Sequence, residues 1–116
     1  MNINKIQILY GVIAVENIGI YLDENTNVDE LISRHSLQTK VIDSKQFINE
    51  LQKIITTKNQ YIKDKKFETA SLFRDKELQL IKRNLPDLRY NLSTSCQIKD
   101  TVVYLLISPD FDSIIV

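Results

Sequence analysis

The feature that most constrains this chain is a helix-like tract at 43–85 whose apolar stripe changes sides partway along. Phe47, Ile48, Leu51, Ile54, Ile55, Tyr61 and Ile62 fall on one face. At 100° per residue they cover an arc of about 140°. The positions that would continue this face, Lys65, Lys66 and Thr69, are polar. Apolar residues resume at Phe67 and Ala70, on nearly the opposite side. A straight helix cannot keep one stripe through such a break, so the pattern predicts a reversal near 63–66 and two antiparallel helices. One unbroken helix of about 60 Å is the alternative, because neither Gly nor Pro marks the turn. Asp43 and Gln46 form a capping-box pattern, with Ile42 and Phe47 at the staple positions. The second helix is expected from about Phe67 to Asn84, with Pro86 as its stop. Leu72, Phe73, Leu78, Leu80, Ile81 and Leu85 surround most of it, so it needs more than one neighbour.

The flanks read differently. Residues 3–22 are rich in β-branched and aromatic side chains, with alternation in Ile6-Gln7-Ile8 and Ile18-Gly19-Ile20. Two strands turning at Glu16-Asn17 are expected, with a helix as the rival, since Ile6, Leu9, Tyr10 and Ile13 also fit helical spacing. Asn27, with Glu30 three residues on, predicts a capped short helix over 28–35 that buries Leu31 and Ile32. Residues 36–40 read as the way out of that helix, and 87–97 as polar and irregular. The nearly continuous apolar run from Ile98 to Ser108 predicts a strand buried on both faces and ended by Pro109. A turn at Asp110-Phe111-Asp112 and a last short strand at 113–116 follow.

Composition excludes more than it assigns. A chain of 116 residues, 43% hydrophobic and 26% charged, suits one soluble domain with a real core. Fifteen basic residues balance fifteen acidic ones, so there is no overall pull toward nucleic acid or an anionic membrane. The N-terminal apolar run is broken by Gln7, Gly11, Glu16 and Asn17, too short and interrupted to cross a membrane. Cys96 is the only cysteine, which leaves no internal disulfide and suits a reducing cytoplasm. No metal is expected, because His35 and Cys96 have no ligand spacing around them. No cofactor is expected either, since two glycines cannot build a phosphate loop. Cys96 also lacks a nearby base to activate it, so an enzyme is not expected. Between Lys58 and Arg83 eight basic residues face four acidic ones. A solvated helix face explains this better than a nucleic-acid surface, because no aromatic residues interleave with it.

The run Tyr61-Ile62-Lys63-Asp64-Lys65-Lys66-Phe67-Glu68-Thr69-Ala70-Ser71-Leu72-Phe73-Arg74-Asp75-Lys76-Glu77 resembles the UVR motif. That motif occurs in the excision-repair proteins UvrB and UvrC, in the middle region of Clp-type ATPases such as ClpC, and in McsA-type adaptors. Its core is an acidic residue, Phe-Glu, a free position, two small residues, a free position, Leu and Arg-Asp. Phe67-Glu68, Ala70-Ser71, Phe73 and Arg74-Asp75 match it, with Ser and Phe as conservative replacements, and Ile62 matches an apolar position before the turn. The likeness covers about residues 58–84. It implies a small helical hairpin that makes protein–protein contacts, often with a second copy of itself. It departs from the pattern at Lys66, where an acidic cap is usual; Asp64 is the nearest substitute.

The resulting expectation is an α+β fold of one domain, 1–116, in which terminal strands form a small antiparallel sheet packed against a helical hairpin at 43–85. Its expected role is that of an adaptor or interaction module whose partners are proteins: a second copy, or a Clp-type ATPase and its adaptors. The expected contact residues are Phe67, Glu68, Ala70, Ser71, Phe73, Arg74 and Asp75. Phe67, Ala70 and Phe73 serve equally well as intramolecular core. Arg74 is expected to pair with Asp75, Glu77 or an acidic partner. A nucleic-acid repair accessory and a structural subunit-interface domain are the alternative roles.

Overall fold

In the computed structural model, residues 3–14, 19–20, 22–90 and 92–110 are described. The fold class is α+β, with a mixed four-stranded sheet and three helices in the described residues. The backbone gathers into two compact units: one of Asn4–Ile42 with Arg89–Val116, the other of Met1–Ile3 with Asp43–Leu88.

The first unit holds the sheet. Its elements are β1 (Lys5–Ala14), α1 (Val28–His35), β2 (Gln38–Ile42), β3 (Leu92–Ile98) and β4 (Thr101–Asp110), with strand order β2-β1-β4-β3. The expectation of an antiparallel sheet is corrected. β1 pairs antiparallel with β2, and β3 with β4, but β1 and β4 run parallel, from Lys5↔Thr101 to Ala14↔Asp110. Parallel neighbours need a long crossover, and the chain between the two strands supplies it.

β4 is central, and its residues Thr101–Ile107 are all buried, as its unbroken apolar run predicts. It continues through Pro109 to Asp110 rather than stopping at the proline. The described pairing with β3 ends at Ile107, so Pro109 sits where only one flank is bonded, and its missing N–H is tolerated there. Leu9, Ile13, Leu22, Leu37, Val103, Leu105 and Ile107 form one core cluster. Ile20, Val28, Leu31, Ile32, Cys96 and Ile98 pack against it. Gly11 belongs to the same layer: a Cβ there would stand 3.1 Å from Leu37 Cδ2.

Two strands lie where none is expected. β2 occupies part of the supposed exit from α1, and its first four residues are exposed. β3 occupies the supposed irregular stretch, and it joins β4 through Lys99-Asp100, with Lys99 at φ 57°. Both are edge strands. An edge strand does not need an apolar run to be held, because half of its backbone bonds come from a buried neighbour. Asp100 closes the end of the sheet by accepting a bond from Asn4 Nδ2 at 3.0 Å, which holds its carboxyl below the usual range.

α1 begins where its cap predicts: Asn27 Oδ1 accepts from the Glu30 N–H at 3.1 Å. The Glu30 side chain does not return the bond; it pairs with Arg34 one turn on. Leu31 and Ile32 are half-buried rather than buried. The expected turn at 16–17 and the final strand at 113–116 lie outside the described residues.

The second unit holds α2 (Lys45–Lys63) and α3 (Phe67–Lys82). The cap of α2 is one residue later than expected. Ser44 Oγ accepts from the Phe47 N–H at 3.4 Å, in place of Asp43 with Gln46. Ile42 is still held in β2 against Ile6, so the chain uses both Asp43 and Ser44 to change from strand to helix. The buried residues are Ile48, Leu51 and Ile55 on α2, and Ala70, Glu77, Leu80 and Ile81 on α3. Phe47, Ile54 and Tyr61 are half-buried, and Ile62 is exposed, so the true core stripe is narrower than the sequence arc.

Candidate functional site

The site is built on the turn between α2 and α3. The Lys66 N–H donates to the Tyr61 carbonyl at 2.8 Å, and the Lys65 N–H to that of Ile62 at 3.0 Å. Lys65 itself stands at φ 61°. This is the Schellman arrangement, with lysine in the left-handed position that glycine usually fills. The new helix then starts at Phe67 without a side-chain cap, since Lys66 makes no capping bond. Asp64 does not substitute; its carboxylate accepts from Gln60 Nε2 at 3.2 Å, one turn back on α2.

Beyond the turn the two helices run back along each other. Lys58 Nζ reaches Glu77 Oε1 at 2.7 Å, and both side chains are largely buried. Tyr61 stacks on Phe73 with ring centroids 5.5 Å apart, and Lys76 Nζ lies 4.5 Å from the Phe73 centroid. The ion pair corrects the expectation for Glu77, which takes Lys58 rather than Arg74. Among the described residues Arg74 enters no ion pair.

A groove of about 250 Å³ opens between the helices, lined by Lys58, Ile62, Phe67, Ala70, Ser71 and Arg74. Four of the seven expected contact residues therefore converge: Phe67, Ala70, Ser71 and Arg74. Ala70 is buried, while Phe67 is 63% exposed and Ile62 45% exposed. The other three do not line the groove. Glu68 and Asp75 are exposed, and Phe73 is half-buried in its stack with Tyr61. Two participants are absent from the sequence reading, Lys58 and the role of Glu77. Each carries a signal in hindsight: Lys58 sits three residues beyond buried Ile55, and Glu77 four before buried Ile81. A charge on an apolar stripe calls for a partner on the facing helix.

Other chemistry-bearing side chains are arranged without such convergence. The Cys96 thiol is pushed up by burial, then by Asp23 and Glu24, and donates to the Gln97 carbonyl at 3.6 Å. His35 ends α1 and is half-buried. Among the described residues no three His, Cys, Asp or Glu side chains are grouped to hold a metal, and no helix is long and apolar enough to cross a membrane. Comparison with family models, curated proteins and solved structures gives no match to this chain.

Proposed function

We propose that this chain is a protein–protein interaction module of the adaptor or regulatory kind. Its helices α2 and α3 act as a UVR-like hairpin that binds a second copy of the chain, or a Clp-type ATPase and its adaptors. One observation carries the reading. Phe67 and Ile62, on either side of the turn, are exposed and border the same groove as Ala70, Ser71 and Arg74. Exposed apolar side chains around a concave surface are what a partner buries on binding. Phe67, Ala70, Ser71 and Arg74 are also positions of the UVR likeness, which supports the same surface. Phe73 has a supporting role, since its ring is already engaged by Tyr61 and Lys76.

Sedimentation of the full chain over a range of concentrations, alone and mixed with the middle region of ClpC, tests the reading. A dimer or a mixed complex is expected, and Phe67→Glu should abolish it while leaving the circular dichroism unchanged. A monomer indifferent to ClpC, or an association untouched by Phe67→Glu, overturns it. A steeply salt-dependent affinity for DNA would put a repair accessory in its place.

A further inference from the structure

We infer that the groove between α2 and α3 receives an acidic segment of a different protein, one carrying a large apolar side chain beside a carboxylate. This rests on the interaction-module reading above and narrows its partner. The groove's apolar lining is Ile62, Phe67 and Ala70, and its charged lining is basic, Lys58 and Arg74; none of its described lining residues is acidic. The two cations are not equivalent. Lys58 is already neutralised by Glu77 at 2.7 Å. Arg74 is exposed and enters no ion pair among the described residues. A guanidinium in that state takes a carboxylate through two parallel bonds. At the turn Lys63, Lys65 and Lys66, exposed and in no ion pair among the described residues, outnumber Asp64, while the exposed Glu68 and Asp75 lie outside the groove lining.

Size points the same way. About 250 Å³ lies below the range of about 300–1,000 Å³ typical of small-molecule pockets. It suits a single anchoring side chain of a peptide. A second copy of this chain complements the groove less well. A two-fold contact through it sets Arg74 and the turn lysines of one copy near those of the other, and like charges across an interface repel.

The test is a phage-displayed library of random twelve-residue peptides panned on the full chain, with Arg74→Glu and Leu72→Ala variants alongside. Leu72 is exposed but does not line the groove. Enriched peptides should place Asp or Glu within one helical turn of Leu, Ile, Phe or Met. The best of them, made as a free labelled peptide, should lose about tenfold or more in affinity on Arg74→Glu, the size expected of one charge-assisted contact. It should bind Leu72→Ala within about twofold, as a rim position outside the contact. Both variants are exposed positions, and their thermal unfolding reports whether they fold. Enrichment of basic or uncharged peptides, no enrichment, or unchanged binding by a folded Arg74→Glu overturns the inference. If the chain instead dimerises through Phe67 while the library yields nothing acidic, the interaction-module reading stands and the acidic partner falls. If neither association nor enrichment occurs, both fall.

Discussion

The central strand and the second long helix spend their apolar residues in opposite ways. In β4 every residue from Thr101 to Ile107 is buried, with β1 on one flank and β3 on the other. In α3 the buried set includes a glutamate, Glu77, while Phe67 and Leu72 stand 63% and 61% exposed. An apolar side chain is stabilising only where something covers it. β4 is therefore scaffold, and α3 keeps part of its apolar surface uncommitted. The contrast teaches that hydrophobicity alone does not separate buried from exposed positions: Phe67 and Leu72 stay exposed while the charged Glu77 is buried.

The contrast breaks most visibly at its extremes. Leu105→Ala, at a fully buried position in β4, should cost about 3–4 kcal/mol, whereas Leu72→Ala should fall within about 0.5 kcal/mol of the parent. Urea unfolding of both measures the gap, and equal costs would erase the distinction between the two elements. The next effect sharpens the account of α3. Glu77→Ala strands the Lys58 ammonium in a largely buried site and should cost about 3 kcal/mol. The double change Lys58→Met with Glu77→Leu should recover most of that loss, because an apolar pair of similar volume needs no desolvation of charge. A double variant as weak as Glu77→Ala would mean that the pair does more than neutralise itself. The smallest effect concerns the uncapped start of α3. Lys66→Asp supplies both a capping carboxylate and a negative charge at the helix N-terminus, and should add about 1 kcal/mol by the same measurement.

Much of this was legible, and the failures share a physical origin. The Asn27 cap, the phase break before Phe67 and the buried run of β4 are local signals, each decided within a few residues. The α2 cap slipped from Asp43 to Ser44 because both residues are good caps, and the pairing of Ile42 with Ile6 chose between them. β2 and β3 carry no such signal, because the turns beside them hold no glycine. The left-handed positions there fall to Ser36 and Lys99, so the usual punctuation is absent. β3 did carry a trace: Cys96 and Ile98, two apart, pack on one core cluster. At the site, the UVR-like pattern picked out Phe67, Ala70, Ser71 and Arg74, which share the groove. It could not separate them from Glu68, Phe73 and Asp75, since all seven lie within nine residues of one helix.

By itself, then, the amino-acid order determined where helices are favoured, where the apolar stripe must change face, and which strand can be buried on both sides. These follow from short-range periodicity and capping, which need no distant residue. Only the tertiary structure decided that β1 lies parallel to β4, that Lys58 meets Glu77, and that Arg74 is left without an ion pair among the described residues. Each of those is a choice among partners far apart in the chain. Side chains of the same type compete for such partners on equal terms until the backbone brings one pair together.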